Sequence, residues 1–253
     1  MSDRTILHGC VLSSMPMGEN DRRIVLLTRE EGCISAFARG ARRQNNPLGA
    51  ASSPFTFGAF EAYRGRNSWT VTACDVQSYF TDMLTSVDNI YYGSYFAEIA
   101  EFYGQEGNDE SDRVNLLFVT LKALEKKAMS LDMIRRIYEL RTLVINGEYP
   151  DFFHCVISGS TEDLHSISIS KRGAISDEMR QNVRDCEPVS DSVLYALRYV
   201  TTAPITRLYA FRLKPEAEEV FCDFLRRYRN RYKERTYHSE AFLTQSEYKL
   251  RLS

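Results

Sequence analysis

The feature that most constrains the fold is a change of hydrophobic period near residue 83. Before it, apolar and polar residues alternate with a period of two, most clearly over residues 32–41. After it, apolar residues recur at helical spacing, most clearly over residues 90–102. The chain is therefore predicted to be an α+β protein, with a β domain over residues 1–82 and a helical domain over residues 83–253.

The first eighty residues predict five short strands. The predicted strands are Thr5–Ser14, Arg22–Arg29, Gly32–Ala41, Pro54–Tyr63 and Ser68–Tyr79. The tight turn at residues 64–67 joins the last two as a hairpin. Because no helical stretch is long enough to dominate this region, the pattern favours a small closed barrel of either the OB type or the SH3-like type.

The rest of the chain predicts helices around one irregular insert. Helical patterns cover residues 87–103, 114–128 and 131–145, and the last of these ends at the capping pair Asn146-Gly147. Further patterns cover residues 190–200, 204–211 and 215–233. The insert at residues 151–189 is predicted to be irregular apart from a short hairpin at residues 167–176.

Composition excludes several classes of protein. The 253 residues are 43% hydrophobic, which is enough for a buried core. No apolar run approaches the ~18–20 residues that span a bilayer, and the N-terminus enters a strand pattern without a signal-peptide core. The six cysteines contain no CxxC pair, so they are predicted to be buried small hydrophobes. We therefore expect a cytoplasmic protein that does not contact membranes.

No catalytic, cofactor or metal site is predicted. The four histidines fit no metalloprotease spacing, and no nucleophile elbow or phosphate-binding loop occurs. Glu19 and Asp21 could bind a metal, but a solvated turn is the favoured interpretation. His154, Cys155 and Cys186 are too scattered to form a tetrahedral zinc site.

Charge is distributed unevenly along the chain. Residues 1–82 carry +1, residues 83–206 carry −7 and residues 207–253 carry +4, and 25 of the 32 basic residues are arginine. Arginine binds phosphate through a bidentate fork. The distribution therefore suggests a polyanionic partner near the two ends of the chain.

Arginines cluster at two places. Arg39, Arg42 and Arg43 follow a predicted strand and are expected at a barrel rim, beside Arg64 and Arg66 if the hairpin folds over. With the aromatic residues of neighbouring strands, they suit a groove that follows a phosphate backbone and stacks bases. A solvated loop over an aromatic core explains them equally well.

The second cluster lies in the last predicted helix. Arg226, Arg227, Arg229 and Arg231 surround its apolar face. Cations near a helix C-terminus are favourable with the helix dipole, which accounts for part of the cluster. The density of the cluster exceeds that need, so a second polyanion contact is predicted here.

An ordered set of motifs resembles the RecO family of bacterial recombination-mediator and DNA-annealing proteins. The motifs are Gly18–Asp21, Ala38–Arg43, Pro54-Phe55, Tyr63–Arg66, Tyr138–Arg141, Asn146-Gly147 with Pro150, and Cys155. They span roughly residues 5–160 at consistent spacing, and the final 50 residues or so fit more loosely.

The resemblance implies an N-terminal OB-fold followed by a helical domain. It implies a non-enzymatic, nucleoid-associated protein that binds single- and double-stranded DNA and anneals strands. With RecR, such a protein helps RecA load onto DNA coated by the single-stranded-DNA-binding protein. It assigns Arg39, Arg42 and Arg43 to DNA phosphates. It also assigns Arg136 to the carboxylate of that binding protein's C-terminal tail, with Tyr95 in an apolar pocket for the tail.

The chain departs from the family pattern at two places. Many members carry a four-cysteine zinc module, but Ser158 stands where the second cysteine would fall and Cys186 is alone. We therefore expect a metal-free remnant of the module within residues 151–189. Where the family has a C-terminal Lys-Ser-Arg segment, this chain has His238-Ser239-Glu240. We therefore expect the basic contacts to have moved to residues 226–235.

Two other classes of function remain open. In a protein–protein adaptor, the barrel and a helical groove would bind peptides, and the arginines would mainly sustain solubility. DNA binding would weaken steeply with salt, whereas an apolar groove would hold its peptide. A nuclease is the more distant alternative, since no carboxylate cluster with metal spacing occurs.

Overall fold

The computed structural model describes residues 4–66, 68–127 and 129–243. The chain divides into two compact units. Unit 1 contains the chain up to Lys127 and again from Tyr237, and unit 2 contains the segment between them, as far as Thr236. The predicted domain boundary at residue 82 marks the change from strands to helices. The compact unit extends further, to Lys127, because two long helices belong to it together with the strands.

Unit 1 contains a five-stranded barrel of the OB type. Its strands are β1 (Arg4–Met17), β2 (Asp21–Thr28), β3 (Gly32–Ala38), β4 (Phe57–Arg64) and β5 (Trp69–Ser78). They pair in the order β1-β2-β3-β5-β4, and β4 pairs again with β1. The β3–β5 seam is parallel and holds only three residue pairs, from Ala36–Trp69 to Ala38–Val71. This order and narrow seam are those of the partly open OB barrel, the first of the two predicted types.

Strand alternation builds the barrel core. On β3, Ile34, Ala36 and Ala38 point inward and are buried, while the residues between them are half-buried on the outer face. A short helix, α1 (Leu48–Ala51), lies between β3 and β4, where no helix was predicted. Leu48 joins the core cluster of the barrel, so the apolar residue at this position explains why the chain turns inward.

Two long helices complete unit 1. They are α2 (Val87–Tyr103), preceded by a 3-10 turn at Met83–Thr85, and α3 (Ser111–Lys126). Gly32 marks a close approach between the β2–β3 turn and the chain after α2. It has φ +65°, and a Cβ there would lie 1.8 Å from the carbonyl oxygen of Gln105. Only glycine fits both constraints.

Unit 2 contains three helices, α4 (Leu131–Ile145), α5 (Asp191–Thr202) and α6 (Pro215–Tyr232). The Ser130 and Ser190 side chains cap α4 and α5 by accepting from the backbone N–H three residues on. The predicted helix at residues 204–211 is wrong, since only a 3-10 turn at Ile205–Arg207 forms. Pro204 opens the segment, and the Tyr199 hydroxyl donates to the Arg207 carbonyl that a helix would use itself.

The insert at residues 151–189 is not irregular, which corrects the prediction. It forms a four-stranded sheet in the order β6-β8-β7-β9. The strands are β6 (Asp151–Cys155), β7 (Ser166–Ser168), β8 (Gly173–Ile175) and β9 (Cys186–Pro188), with a 3-10 helix at Asp177–Asn182. The expected hairpin is confirmed as β7–β8. Strands of three residues are too short to show an alternating period, so the sheet left no readable pattern.

Two smaller expectations can be compared with the structure. None of the helices in the described ranges is long and apolar enough to cross a membrane. All six cysteines are free: Cys10, Cys155 and Cys222 are buried, whereas Cys33, Cys74 and Cys186 are half-buried. The prediction that the cysteines are buried is therefore confirmed for three of the six.

Candidate nucleic-acid interface

Three exposed arginines follow the end of β3. Arg39, Arg42 and Arg43 all lie on the surface. The Arg42 guanidinium donates to the Gly18 carbonyl at 2.8 Å, and within the described residues none of the three arginines pairs with a carboxylate. Their charge is therefore available to an anion from outside the chain. We call them the loop arginines.

The loop that carries these arginines is held by the neighbouring β1–β2 turn. The Gly40 N–H donates to the Asp21 carboxylate at 2.7 Å, and the Arg42 N–H donates to the Asn20 carbonyl at 2.9 Å. Gly40 has φ +70°, a conformation that favours glycine. The β1–β2 turn and the loop after β3, some twenty residues apart in sequence, thus hold each other in place. The backbone that carries the loop arginines is therefore fixed by hydrogen bonds.

Arg64 and Arg66 do not lie beside the loop arginines, which corrects the prediction. In the parallel β3–β5 seam Ala36 lies opposite Trp69, so the turn before Trp69 and the loop after Ala38 leave opposite ends of the barrel. Arg64 approaches Glu106 at 3.5 Å and lies 5.8 Å from the Trp69 ring centroid. Arg66 is exposed. Trp69 lies opposite Ala36, three residues before Arg39, so at ~3.3 Å per residue the start of β5 and the loop arginines are about 10 Å apart along the strands, and the turn lies beyond it.

The outer face of β2 and β3 adds two residues that the sequence analysis did not single out. Arg23 lies opposite Phe37 in the antiparallel register, and its Nε donates to the Ser35 hydroxyl at 2.9 Å. In OB folds, oligonucleotides bind on the face of strands 2 and 3 and on the loops that flank it. Alternation along β3 already put Phe37 on the outer face, but only the strand register brings Arg23 beside it.

The arginines of α6 are mostly paired within unit 2. Arg226 bonds Asp132 at 2.8 Å, Arg227 bonds Glu187 and Asp223, and Arg229 approaches Glu139 at 3.2 Å. Hydrogen bonding to Arg227 holds the pKa of Glu187 below its ordinary value.

Arg231 is exposed, with its guanidinium 5.8 Å from the Tyr232 ring centroid. The second polyanion surface stays a prediction. In the structure, carboxylates of α4, β9 and α6 already pair with Arg226, Arg227 and Arg229, which weakens the case for these three.

Arg136 is buried, which corrects its assignment to a partner's carboxylate. Only 1% of the residue is exposed, and its guanidinium bonds Asp132 and Glu139, each at 2.8 Å. An incoming carboxylate would have to displace two carboxylates that the chain already supplies. Burying an arginine requires such partners, so these acids are part of the fold.

Tyr95 is also unavailable to a partner. It is fully buried, and Tyr237 packs edge-on against it at 5.7 Å between ring centroids. The Glu98 carboxylate accepts from the His238 N–H and from both the N–H and the hydroxyl of Ser239. Burial would raise the pKa of Glu98, but these bonds lower it. The chain's own C-terminal segment covers the aromatic stripe, so Tyr95 belongs to the core of unit 1.

The residues of the insert do not fit a zinc ion. Cys155 ends β6 and Cys186 begins β9, with β8 and β7 between them. Three strand spacings of ~4.8 Å separate the two sulfurs by about 14 Å, too far to share one ion. Burial would raise the pKa of the Cys155 thiol, but hydrogen bonding by Ser158 and Ser176 lowers it to about 6. Among the described residues no group of three or more His, Cys, Asp or Glu could hold a metal.

The fold and its unpaired arginines define an OB-fold protein of the nucleic-acid-binding class. Residues 1–80 match the family model described as Recombination protein O N terminal, and residues 84–241 match Recombination protein O C terminal. The chain therefore belongs to the RecO family, which confirms the resemblance found in its sequence.

Named relatives agree with this family. The chain is 27% identical to the DNA repair protein RecO of Acetivibrio thermocellus, over 93% of the chain and 94% of that protein. It is 28% identical to the DNA repair protein RecO of Bacillus velezensis, over 96% and 95%. It is 32% identical to the DNA repair protein RecO of Alkaliphilus metalliredigens, over 66% and 68%. A general role in DNA repair, recombination and DNA binding follows.

Proposed function

We propose that this protein anneals complementary DNA strands and helps RecA load onto single-stranded DNA coated by the single-stranded-DNA-binding protein, without catalysing a covalent reaction. The observation that carries the proposal is the set of loop arginines, which are exposed and have no carboxylate partner among the described residues. Membership of a DNA repair family supports the same class of function.

The physical basis is electrostatic. Two DNA strands repel each other, and arginines that neutralise phosphates on both lower this repulsion while releasing bound counterions. Arginine forks also hold phosphate oxygens in a defined geometry. The outer face with Arg23 and Phe37 offers an aromatic contact between the loop arginines and Arg66. We propose that a strand follows this path along the barrel.

Phosphate contacts carry no sequence information, so we propose binding to both single- and double-stranded DNA. RecR and the single-stranded-DNA-binding protein are the proposed protein partners, and the nucleoid is the proposed place of action. Arg136 and Tyr95 play no part in this proposal, because the fold already uses both.

The test compares two double variants that remove the same charge. Arg39→Ala with Arg43→Ala removes two loop arginines, and Arg180→Ala with Arg184→Ala removes two exposed arginines of unit 2. Affinity for a labelled single-stranded oligonucleotide is measured by fluorescence anisotropy across a salt series. The slope of log K against log salt should fall by about 1.4 in the first variant, at ~0.7 per lost phosphate contact, and less in the control.

Annealing of complementary strands coated by the single-stranded-DNA-binding protein should slow in the same variant. An unchanged affinity and slope in Arg39→Ala with Arg43→Ala would remove the barrel from the DNA contact. If the unaltered protein bound peptides at high salt and failed to bind DNA at low salt, the adaptor class would replace this proposal.

A further inference from the structure

A second part of the molecule shares the charge pattern of the loop arginines. The two longest stretches of the chain without a carboxylate are residues 32–60, which contain the loop arginines, and residues 192–215. The second stretch carries four cations: Arg198, Arg207, Arg212 and Lys214. The chain as a whole has more acidic than basic residues, so a folded region with this composition stands out.

Aromatic rings line the outer side of this stretch. Tyr195 of α5 is 66% exposed, although α5 buries its apolar side. Its ring lies 6.3 Å from that of Tyr199, one helical turn on, at an interplanar angle of 28°. Phe211 packs edge-on against Tyr199 at 5.1 Å. The three rings form a continuous row whose end residue, Tyr195, is mostly exposed.

Unpaired cations flank this row. The Tyr199 hydroxyl donates to the backbone carbonyl of Arg207 at 2.7 Å, and Arg212 follows Phe211 directly. Arg207, Arg212 and Lys214 are all exposed, and none forms an ion pair within the described residues. We call Tyr195, Tyr199, Arg207, Phe211, Arg212 and Lys214 the aromatic–basic face.

Arg198 does not belong to this face. Its Nε donates to the Phe152 carbonyl at 2.8 Å, and its guanidinium lies 5.6 Å from the Phe153 ring centroid. The carboxylates nearest in sequence are Asp191, one turn before Tyr195, and Glu216, at the start of α6. They stand at the two borders of the stretch, so the face itself carries three positive charges.

We propose that the aromatic–basic face is a second binding site for single-stranded DNA in this protein, one that stacks an unpaired base on Tyr195 and holds phosphates with Arg207, Arg212 and Lys214. Stacking on aromatic side chains beside a cationic track is how proteins bind single strands regardless of sequence. The inference rests on the proposed function and deepens it, because one chain then holds unpaired bases as well as phosphates.

The geometry favours a base over a peptide side chain. A ring that is two-thirds exposed presents a flat platform, which matches the face of a nucleobase, whereas an apolar side chain needs a pocket that encloses it. A duplex hides its base faces, so the site should distinguish single strands from double strands. The loop arginines, which contact phosphates alone, have no such basis for discrimination.

The test separates stacking from charge. Tyr195→Ala removes the platform, and Tyr195→Phe keeps it as the matched control. Because Tyr195 is exposed, both variants should keep the unfolding temperature of the parent protein. The probes are a labelled thymidine oligonucleotide and an abasic strand of equal length. Tyr195→Ala should weaken binding of the thymidine strand about 5- to 150-fold and leave the abasic strand unchanged, and Tyr195→Phe should match the parent protein.

A second pair of measurements keeps this inference apart from the proposed function. Arg207→Ala with Arg212→Ala should lower the salt slope by about 1.4, and so should Arg39→Ala with Arg43→Ala. If only the loop variant weakens DNA binding and Tyr195→Ala has no effect, the second site is overturned and the proposed function stands. If Tyr195→Ala weakens thymidine binding and the loop variant does not, the second site stands and the barrel site falls. Equal losses on both probes in Tyr195→Ala would overturn base stacking.

Discussion

The loop arginines and the arginines of α6 look alike in sequence and behave differently in the structure. Arg39 and Arg43 are exposed and have no carboxylate partner among the described residues. Arg226 and Arg227 each bond carboxylates, including Asp132 and Glu187, which lie at least forty residues away in sequence. The comparison teaches that the local density of arginine does not measure available charge. What matters is whether the fold brings carboxylates to the arginines.

Removing a paired arginine should cost far more stability than removing a free one. Arg136→Ala removes a fully buried charge partner from Asp132 and Glu139. These carboxylates keep Arg226, Arg135 and Arg229, so we expect a loss of about 1–3 kcal/mol in the free energy of unfolding. Arg43→Ala, the matched exposed change, should cost less than about 0.5 kcal/mol. Urea unfolding of both variants is the measurement. Similar losses would mean that the two kinds of arginine do not differ energetically.

Lowering the pH should reduce the stability that one carboxylate of unit 2 contributes, a carboxylate that accepts hydrogen bonds from uncharged donors. Asp185 accepts from Ser168 and Ser170; burial would raise the pKa of Asp185, but these bonds lower it to about 2. A lowered pKa adds stability above the ordinary Asp range, and this stability is lost as the pH falls toward 2. Asp185→Asn should therefore cost about 1 kcal/mol at pH 7, after allowance for solvent screening, and little at pH 2.

The measurement for Asp185 is the urea midpoint of the Asn variant and of the parent protein at both pH values. Asp185 is not among the proposed DNA contacts, so DNA affinity at pH 7 should not change in this variant. A cost of the same size at pH 2 would show that shape, and not charge, explains the effect of Asp185.

An arginine of α6 that loses its carboxylate partners should become able to bind DNA phosphate, as is proposed for the loop arginines. Glu187→Gln with Asp223→Asn removes both carboxylate partners of Arg227, and one added phosphate contact would steepen the salt slope of DNA binding by about 0.7. The control is Glu162→Gln with Glu178→Gln, two exposed acids of unit 2 with the same change in net charge. Anisotropy across a salt series measures both. Equal slopes in the two variants would show that position, and not pairing, keeps α6 away from DNA.

Long periodic segments made much of the fold predictable. The change of period near residue 83, the five strands and the start of α2 at Val87 all agree with the structure. The sheet of the insert was not predictable, because three of its four strands have three residues and their partners lie up to 22 residues apart. Helix caps and turns can be predicted from a few neighbouring residues, whereas pairing between distant short strands cannot.

The candidate site divides in the same way. The exposed, carboxylate-free loop at Arg39–Arg43 followed from residues near one another in sequence. The separation of Arg66 from it, the place of Arg23 beside Phe37 and the burial of Arg136 all depended on register and packing. Tyr95 lay on a helical stripe of a kind that more often forms core than a pocket, and its contact with Tyr237, over a hundred residues later, shows that it is core.

By itself, the sequence determined the α+β class, the five barrel strands and the long helices, and the positions where arginine is dense. These follow from local periodicity and composition, which operate over a few residues. Only the tertiary structure decided which arginines are free, because neutralisation of an arginine requires a carboxylate within about 4 Å. Folding of the chain brings carboxylates to that distance, and their separation from the arginine in sequence does not predict which of them will reach it.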